Sequence, residues 1–225
     1  GCGVDIDMGS SVAIAGWAFL NHNMATVSTP QIAIQTSADA VYTSPVTRKS
    51  FTDIVSTGAG AKDAVLQHVS VASRYWRILT AWGASFAFRV GEIMPYATPT
   101  QLTRGPMDGS GEVEEIMTVQ TKMMYGESRA AFMAGPLRHK KLRWQDLTTA
   151  NNNELLTMWR ATRGPVTPLL WIESYEATNA AAAAAQQDCL YGRIQLDTYD
   201  WSWSDYQIAQ PPQMEIHSLG RELGA

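Results

Sequence analysis

One-by-one alternation of apolar and polar residues is the feature of this sequence that most restricts its fold. It is clearest at residues 4–8, where a valine, an isoleucine and a methionine are separated by two aspartates. Because successive side chains of a β-strand point to opposite faces, this spacing predicts a strand with an apolar face on a core and an acidic face in water. Gly9-Ser10-Ser11 follows, and such small polar residues predict a turn.

Further segments of this kind occupy the first hundred residues and predict antiparallel strands. They lie at residues 12–20, which are more uniformly apolar, and at 31–36, 75–80 and 85–90. In the segment 75–80, Trp76, Ile78 and Thr80 share one face. We expect these strands to form one sandwich, and we place the first domain at residues 1–98.

Two stretches without alternation predict interruptions. Residues 45–67 are rich in Ser, Thr, Gly and Lys, which predicts a long surface loop. In residues 95–111, prolines and turn residues interrupt any regular element. We therefore predict a domain boundary within residues 95–111.

The second domain, which we place at residues 112–225, is also predicted to be rich in strands. Alternation at 112–125 predicts a long strand, and 128–133 and 139–144 are predicted to be its neighbours in a meander. Later strands are predicted at 169–172, 190–196 and 214–218.

One segment of the second domain has a helical period. Asn151 is a candidate N-cap, with Glu154 three residues later as in a capping box. Gly164-Pro165 ends the helix, which we place near residues 151–163. Its predicted face consists of Leu155, Met158, Trp159 and Thr162. An alanine run at 180–185 predicts a further short helical segment that caps a loop.

These patterns predict a mainly β fold class. We expect two β-sandwich-like domains, of which the second contains one α-helix near residues 151–163. No internal repeat of 20 to 50 residues is visible, which argues against a solenoid or a propeller.

Composition argues against several classes of function. Of the 225 residues 45% are apolar and 17% are charged, with a net charge of −4 and a pI near 5.5. Nucleic-acid binding relies on clustered Lys and Arg, so we expect no nucleic-acid partner. The longest apolar stretch, residues 12–20, is shorter than the roughly 20 residues that span a bilayer, so we expect no membrane insertion. A surface so poor in charge indicates contacts with other subunits.

No metal, cofactor or catalytic site is predicted. The histidines stand singly, at His22, His68, His139 and His217, without a metal-ligand spacing. Cys2 and Cys189 form no CxxC motif, and we expect unpaired thiols, although the sequence does not give the separation that decides a disulfide.

Nucleophile and acid-pair motifs are missing as well. Neither Gly9-Ser10-Ser11 nor Gly109-Ser110-Gly111 fits a nucleophile elbow. The acids at positions 112, 114 and 115 are better explained by a solvated strand edge than by a glycosidase pair. We predict that the chain is not an enzyme.

Three side-chain groups have a structural and a functional interpretation. Asp5 and Asp7 have the spacing of a calcium pair, but the outer face of a strand explains them better. The basic run at 138–143 fits an edge strand kept soluble by lysine, with a subunit contact as the alternative. The aromatic group at Tyr199, Trp201, Trp203 and Tyr206 fits partial burial against the sheet, with an interface or a sugar platform as alternatives.

Several segments, taken in order, resemble structural proteins of bacteriophage tails. Residues 4–10, 20–23 and 74–78 together resemble the discoidin-like, jelly-roll sandwich of such virion proteins. Residues 164–172, followed by 190–193, resemble the C-terminal β-domain of minor tail and distal-tail proteins. The strands that this family has before Val4 are missing here, so the resemblance implies an N-terminally truncated first domain.

The resemblance implies a virion subunit that builds a ring or an adaptor through contacts between copies. Our leading prediction is a tail or baseplate subunit located in the virion, whose partners are copies of itself and other virion proteins. Two alternatives stay open. One is a carbohydrate-binding module that presents His22-Asn23 or the 45–67 segment to a host-surface glycan, and the other is a head decoration or head-to-tail connector protein.

Overall fold

The chain folds as a mainly β, sandwich-like protein in the computed structural model, which confirms the predicted fold class. The structure describes residues 2–20, 22–23, 31–53, 64–81, 89–106, 111–115, 118–122, 129–133, 137–172, 189–200, 202–204 and 208–218. Within these ranges the chain forms β-strands and one α-helix.

The chain divides into two compact units. The first comprises Gly1–Thr100 and Ile172–Cys189, and the second comprises Gln101–Trp171 and Leu190–Ala225. The division near residue 100 falls inside the stretch where the sequence places a boundary, at 95–111.

Residues 101–106 are attached to the second unit by their own side chains and backbone. Leu102 packs against the core of that unit. Thr103 donates two hydrogen bonds to the Glu154 carboxylate, from its backbone N–H at 2.8 Å and from its hydroxyl at 2.6 Å. The indole of Trp144 donates to the backbone oxygen of Arg104 at 3.2 Å. This irregular stretch is therefore fixed in place rather than a loose linker.

The described strands of the first unit form one antiparallel sheet in the order β3-β2-β4-β1-β5. They are β1 (Cys2–Leu20), β2 (Gln31–Ser37), β3 (Val46–Asp53), β4 (Ala64–Ala81) and β5 (Glu92–Tyr96). β1 and β4 pair over nearly their whole length. β2 flanks β4 along residues 75–81, whereas β5 flanks β1 along residues 16–20.

The long β1–β4 pair bends back on itself, and this makes the unit sandwich-like. Trp17 lies opposite Leu66, ten positions before Trp76 on β4, which corresponds to roughly 33 Å of straight strand. Nevertheless the rings of Trp17 and Trp76 meet edge to face with centroids 5.6 Å apart. The pairing register shifts between Asp7 and Val12 and again between Ile14 and Gly16, and such bulges bend strands.

The bend encloses an apolar core between the two ends of the pair. Its buried members are Ile14, Trp17, Phe19, Ile32, Ile34, Ala64, Leu66, Trp76 and Ile78. The predicted apolar face of β4 is confirmed, because Trp76, Ile78 and Thr80 are all buried. Removal of these side chains from water is the main stabilising contribution to the unit.

Two predictions for β1 are wrong. The turn expected at Gly9-Ser10-Ser11 is part of the strand, because the chain inserts a bulge there instead of reversing. Gly9 has φ 74°, and its N–H donates to the Asp7 side chain at 2.8 Å, so the bulge closes locally. Val4 was expected on the core but is exposed, whereas Ile6 and Met8 pack against the core.

The predicted surface loop at 45–67 is also wrong in its described part. Val46–Asp53 forms β3, and Ala64 to Gln67 begin β4 and are buried. The polar residues of β3 belong to the outer strand of a sheet, which needs few apolar side chains. Pro95 lies within β5, where an outer strand tolerates the missing N–H. Of the strand predicted at 85–90, residues 85–88 lie outside the described residues, and Val90 is not in a strand.

The second unit contains two sheets, a hairpin and the helix, although Ile172 and Cys189, at the ends of two of its strands, are grouped with the first unit. One sheet has the order β11-β12-β15-β9-β6, the other has the order β10-β14-β13, and β7 pairs with β8. The elements are β6 (Gly111–Glu115), β7 (Thr118–Lys122), β8 (Arg129–Met133), β9 (Leu137–Leu142), β10 (Leu147–Thr148), α1 (Thr149–Thr162), β11 (Leu169–Ile172), β12 (Cys189–Ile194), β13 (Ser202–Ser204), β14 (Ile208–Gln210) and β15 (Met214–Ser218).

The long strand predicted at 112–125 is wrong, because β6 and β7 belong to different sheets. Alternation continues from one to the other, so the sequence pattern does not reveal the change of partner. The late strands β11, β12 and β15 lie close to their predicted positions. The alanine run at 180–185 lies outside the described residues.

The predicted helix is present, but it begins earlier than expected. Thr148 is the N-cap, and its hydroxyl accepts from the backbone N–H of Asn151 at 3.3 Å. Asn151 is therefore inside the helix, and Glu154 accepts from Thr103 rather than closing a capping box. The helix ends at Arg163, which adopts the left-handed conformation with φ 53°.

The helix and the larger sheet enclose the core of the second unit. Its buried members are Leu142, Trp144, Leu147, Leu155, Leu156, Leu190, Ile194, Tyr199, Met214 and Ile216. Trp159 lies at the edge of this core, and its indole donates to the backbone oxygen of Leu196 at 2.8 Å. The bond ties the helix to the chain after β12.

Candidate functional site

Large apolar side chains are exposed on several strands of the first unit. Val4 and Val12 lie on β1, Val46 and Phe51 on β3, and Val69 on β4. Phe51 is 48% exposed and Val69 is 70% exposed. β1 and β4 are neighbours in the sheet, whereas β3 is separated from them by β2, so these residues form two separate groups. A single exposed valine needs no explanation, but a group of exposed apolar side chains can contact another molecule.

Two of these strands have a side without a strand partner in the described part of the chain. β3 is the outer strand of its sheet, and β5 covers β1 only along residues 16–20. We call the outer side of β3 and the outer side of β1 at residues 3–15 the open edges. Their backbone N–H and C=O groups can pair with a strand from another chain.

β3 also carries features that restrict which strand can pair with it. Lys49 points inward and is buried, and its burial lowers the pKa of its ammonium group. The register between β2 and β3 shifts twice, between Ile32 and Ile34 and between Ile34 and Gln35. Inward charges and bulges both disfavour indiscriminate edge pairing. The open edge of β3 therefore suits a specific partner strand.

Asp5 and Asp7 are held by two arginines of β4. Arg77 donates to both carboxylate oxygens of Asp5 at 2.6 and 2.8 Å, and Arg74 donates to both oxygens of Asp7 at 2.7 and 2.8 Å. These hydrogen bonds lower the pKa of Asp5, and with the N–H of Gly9 they lower the pKa of Asp7 to about 2. The acids lie on the outer face as predicted, but in ion pairs rather than in water alone.

Tyr42 completes this network on the outer face of the first unit. The guanidinium of Arg77 lies 3.9 Å above the centroid of the Tyr42 ring. The hydroxyl of Tyr42 donates to the backbone oxygen of Trp76, and burial raises the pKa of that hydroxyl. Arg77 is thus fixed from two sides, which keeps Asp5 neutralised beside the open edge of β1.

Strands β9 and β15 bring two histidines together on one face of their sheet. His139 lies directly opposite His217, and their rings stack at 25° with centroids 4.9 Å apart. Oε2 of Glu215 lies 3.3 Å from Nε2 of His217, and Oε1 lies 3.5 Å from Nζ of Lys141. The hydrogen bond with His217 is the main cause that lowers the pKa of Glu215. The prediction that all histidines stand apart is therefore wrong for this pair.

The basic run at 138–143 does not lie on an outer strand, so the edge-strand interpretation is wrong. β9 has β15 on one side and β6 on the other. Lys140 is buried, whereas Lys141 pairs with Glu215 and Arg143 donates to the Gln213 side chain at 3.1 Å. Partners on β15 and beside it account for Lys141 and Arg143.

The other two histidines are buried in the first unit. Burial lowers the pKa of His22 to about 4 and also lowers the pKa of His68. The ring of His68 stacks on Trp76 with centroids 5.4 Å apart, and its Nδ1 lies 2.8 Å from the backbone oxygen of Val69. Nδ1 therefore carries the proton of a neutral imidazole. No sequence signal distinguishes these core histidines from exposed ones.

The remaining predicted sites are only partly described. Gly9-Ser10-Ser11 lies within β1, and residues 109–110 lie outside the described residues. β6, which carries the acids at 112, 114 and 115, is the outer strand of its sheet, and their side chains are not described. Cys189 is buried, and the Cys2 side chain is not described, so the prediction of unpaired thiols stays a prediction.

Of the aromatic group near residue 200, Tyr199 is described and is a core residue. It is buried, its hydroxyl donates to Oδ1 of Asn152 at 2.9 Å, and burial raises its pKa to about 12. Trp201 and Tyr206 lie outside the described residues, as does the side chain of Trp203. Tyr199 therefore forms no part of a sugar-stacking surface.

The described residues contain neither a three-ligand metal cluster nor a helix that could span a membrane. No three His, Cys, Asp or Glu side chains among them converge as they would around a metal ion. None of the helical residues described forms a segment long and apolar enough to cross a bilayer.

No protein-family model, no curated protein and no solved structure matches this chain.

Proposed function

We propose that this chain is a structural subunit that assembles with copies of itself and with other proteins of a bacteriophage virion, as a tail or baseplate component. The observation that supports assembly is the pair of open edges with exposed apolar side chains, above all Phe51 on β3. A long strand edge of this kind is an aggregation hazard in an isolated molecule, so a partner strand is expected to cover it in the working protein.

Strand addition is the mode of contact that fits these edges. Backbone hydrogen bonds supply affinity, and alternate side chains supply specificity. On β1 the neutralised Asp5 and Asp7 leave little net charge to repel a neighbour, and the chain as a whole has only 17% charged residues. On β3 the inward Lys49 and the two register shifts select among possible partners.

The phage part of the proposal rests on the ordered resemblance to tail proteins, together with the mainly β fold. Mass spectrometry of purified particles tests it. We expect peptides of this chain in intact particles after nuclease and protease washing. Absence from the particles, with the chain present in the host lysate, would exclude a virion role.

Sedimentation analysis of the untagged chain tests assembly through the open edges. We expect concentration-dependent association that Phe51→Lys weakens by about tenfold or more, because a lysine here must be desolvated in the contact. Val166→Lys is the matched control, since Val166 is 62% exposed but lies outside every strand. Equal effects of the two variants, or a wild-type chain that stays monomeric and is absent from particles, would contradict the proposal.

The carbohydrate-binding alternative relied on His22-Asn23 and on residues 45–67, of which 54–63 lie outside the described residues. Val46–Asp53 is a paired strand rather than a free loop, and His22 is buried. The prediction that the chain is not an enzyme stays a prediction.

A further inference from the structure

We propose that the stacked pair His139 and His217 is a binding site for a divalent transition-metal ion, with Glu215 as the hydrogen-bond acceptor that orients His217. This site is independent of the open edges and of the proposed virion role. It lies on the face of the β9–β15 pair opposite Leu142, Met214 and Ile216, which face the core. On that face His139 is only 7% exposed, so an ion reaches the pair from the side of His217.

The backbone brings the two rings within reach of one ion. Residues directly opposite each other on antiparallel strands have Cβ atoms about 4.5 to 5.5 Å apart. Nitrogen–metal bonds of about 2.0 to 2.1 Å place two ligand nitrogens roughly 3 to 4 Å apart on one ion. The ring centroids are 4.9 Å apart and the rings stack at 25°. Because the nitrogen lone pairs lie in the ring planes, both rings must turn about their soft χ2 torsions before the lone pairs point to one ion.

Glu215 prepares His217 for this role. Its Oε2 lies 3.3 Å from Nε2 of His217, so Nε2 donates the hydrogen bond and Nδ1 is left with a lone pair for the ion. Metal-ligating histidines almost always donate their other N–H to a carboxylate, a backbone carbonyl or water in this way. With a half-exposed ring, His217 is also open to an ion from solution, as its 42% exposed side chain shows.

The charged groups around His139 and His217 keep the affinity for a metal ion moderate. Glu215 attracts a cation, whereas Lys141 lies 3.5 Å from its carboxylate and Arg193 lies opposite His217 on β12. The side chains of β6, the other neighbour of His139, are not described. Because two of these three charged groups repel a cation, binding depends on the imidazole nitrogens rather than on general attraction.

Two imidazole ligands select the class of metal. Imidazole suits copper, nickel and zinc, whereas Mg²⁺ and Ca²⁺ prefer oxygen ligands, and Cu²⁺ binds most tightly in the divalent series. Two protein ligands leave further coordination positions for water or for a donor from another molecule. We therefore expect Cu²⁺ to bind best and Mg²⁺ to give no competition.

Titration of the untagged full chain with Cu²⁺, followed by electron paramagnetic resonance, tests the site. The reference chain and every variant carry Cys2→Ser, so that the Cys2 thiol does not bind Cu²⁺. We expect one Cu²⁺ per chain with the coupling pattern of two nitrogen ligands. For His217→Gln we expect affinity to fall by about 100-fold or more, beyond the roughly 10- to 100-fold loss typical of an outer-shell partner.

Two further variants separate a metal site from nonspecific binding. Glu215→Gln should weaken Cu²⁺ by about tenfold without changing the number of nitrogen ligands, because it acts through His217. Lys141→Gln removes a repelling charge and should tighten binding by about threefold. Unfolding curves recorded in a chelator should show that every variant folds.

A wild-type spectrum without two nitrogen ligands, or a folded His217→Gln variant that binds Cu²⁺ as tightly as wild type, would overturn the proposal.

Discussion

The Tyr199 hydroxyl donates a 2.9 Å hydrogen bond to Oδ1 of Asn152, and both side chains are buried in the second unit. The bond joins the chain after β12 to α1. One polar contact inside the core therefore ties the helix to a segment that is distant in the sequence. Asn152 lies within the predicted helix, and its partner is 47 residues away in the sequence.

Removing this hydroxyl should cost stability. Tyr199→Phe leaves the buried Asn152 oxygen without its donor, so we expect the free energy of unfolding to fall by about 1 to 3 kcal/mol. Urea unfolding followed by tryptophan fluorescence measures the change. In a double-mutant cycle with Asn152→Ala, the two effects should be less than additive, and full additivity would show that the bond contributes nothing.

Truncation of the Trp76 side chain should lower the free energy of unfolding by more than any single substitution on the surface. Its ring contacts Trp17 and His68 and is fully buried where the β1–β4 pair folds back. We expect Trp76→Ala to lower the free energy of unfolding by about 3 to 5 kcal/mol. Tyr75→Phe, at the neighbouring position on the other face, is the control and should stay within about 0.5 kcal/mol of wild type.

Gly16 should not accept a side chain. A Cβ there would lie 2.2 Å from the Tyr96 hydroxyl and 2.7 Å from the Leu66 backbone oxygen. We expect Gly16→Ala to lower the melting temperature sharply, since the backbone atom cannot move aside. Adding Tyr96→Phe should restore only part of the loss, because the ring carbon Cζ of residue 96 and the Leu66 backbone oxygen still crowd the Cβ. Complete rescue would mean that the hydroxyl alone is the obstacle.

Acid should destabilise the first unit in two stages. The pKa of His22 is about 4 in the fold and about 6.5 in the unfolded chain. The unfolded state therefore binds the proton first, so stability that is present above about pH 6.5 is lost as the pH falls toward 4. His68 shifts in the same direction. For His22 alone the loss is about 3 kcal/mol.

The carboxylates titrate at lower pH. The pKa values of Asp5 and Asp7 are lowered, so their ion pairs remain intact above about pH 4 and are lost only below it. Unfolding curves at pH 7.5, 6, 5 and 4 should show the histidine stage, and His22→Gln should flatten it. A stability that stays constant between pH 7.5 and 5 would contradict the assignment.

The sequence by itself determined the strand character of this protein and the position of its helix. Alternation at residues 31–36, 75–80 and 214–218 predicted strands that the structure contains, because side-chain period is a local property of the strand backbone. The local pattern was misleading at Gly9-Ser10-Ser11, because small polar residues suit both a turn and a bulge. There the chain makes a bulge within β1.

Only the tertiary structure decided which strands are neighbours and which side chains meet. The pairing of His139 with His217, the contact of Trp17 with Trp76 and the separation of β6 from β7 depend on register and on bends between distant segments. Periodicity specifies which face a residue occupies but not what that face is packed against. For that reason the sequence predicted a β-rich assembly protein, while the open edges and the histidine pair emerged only from the fold.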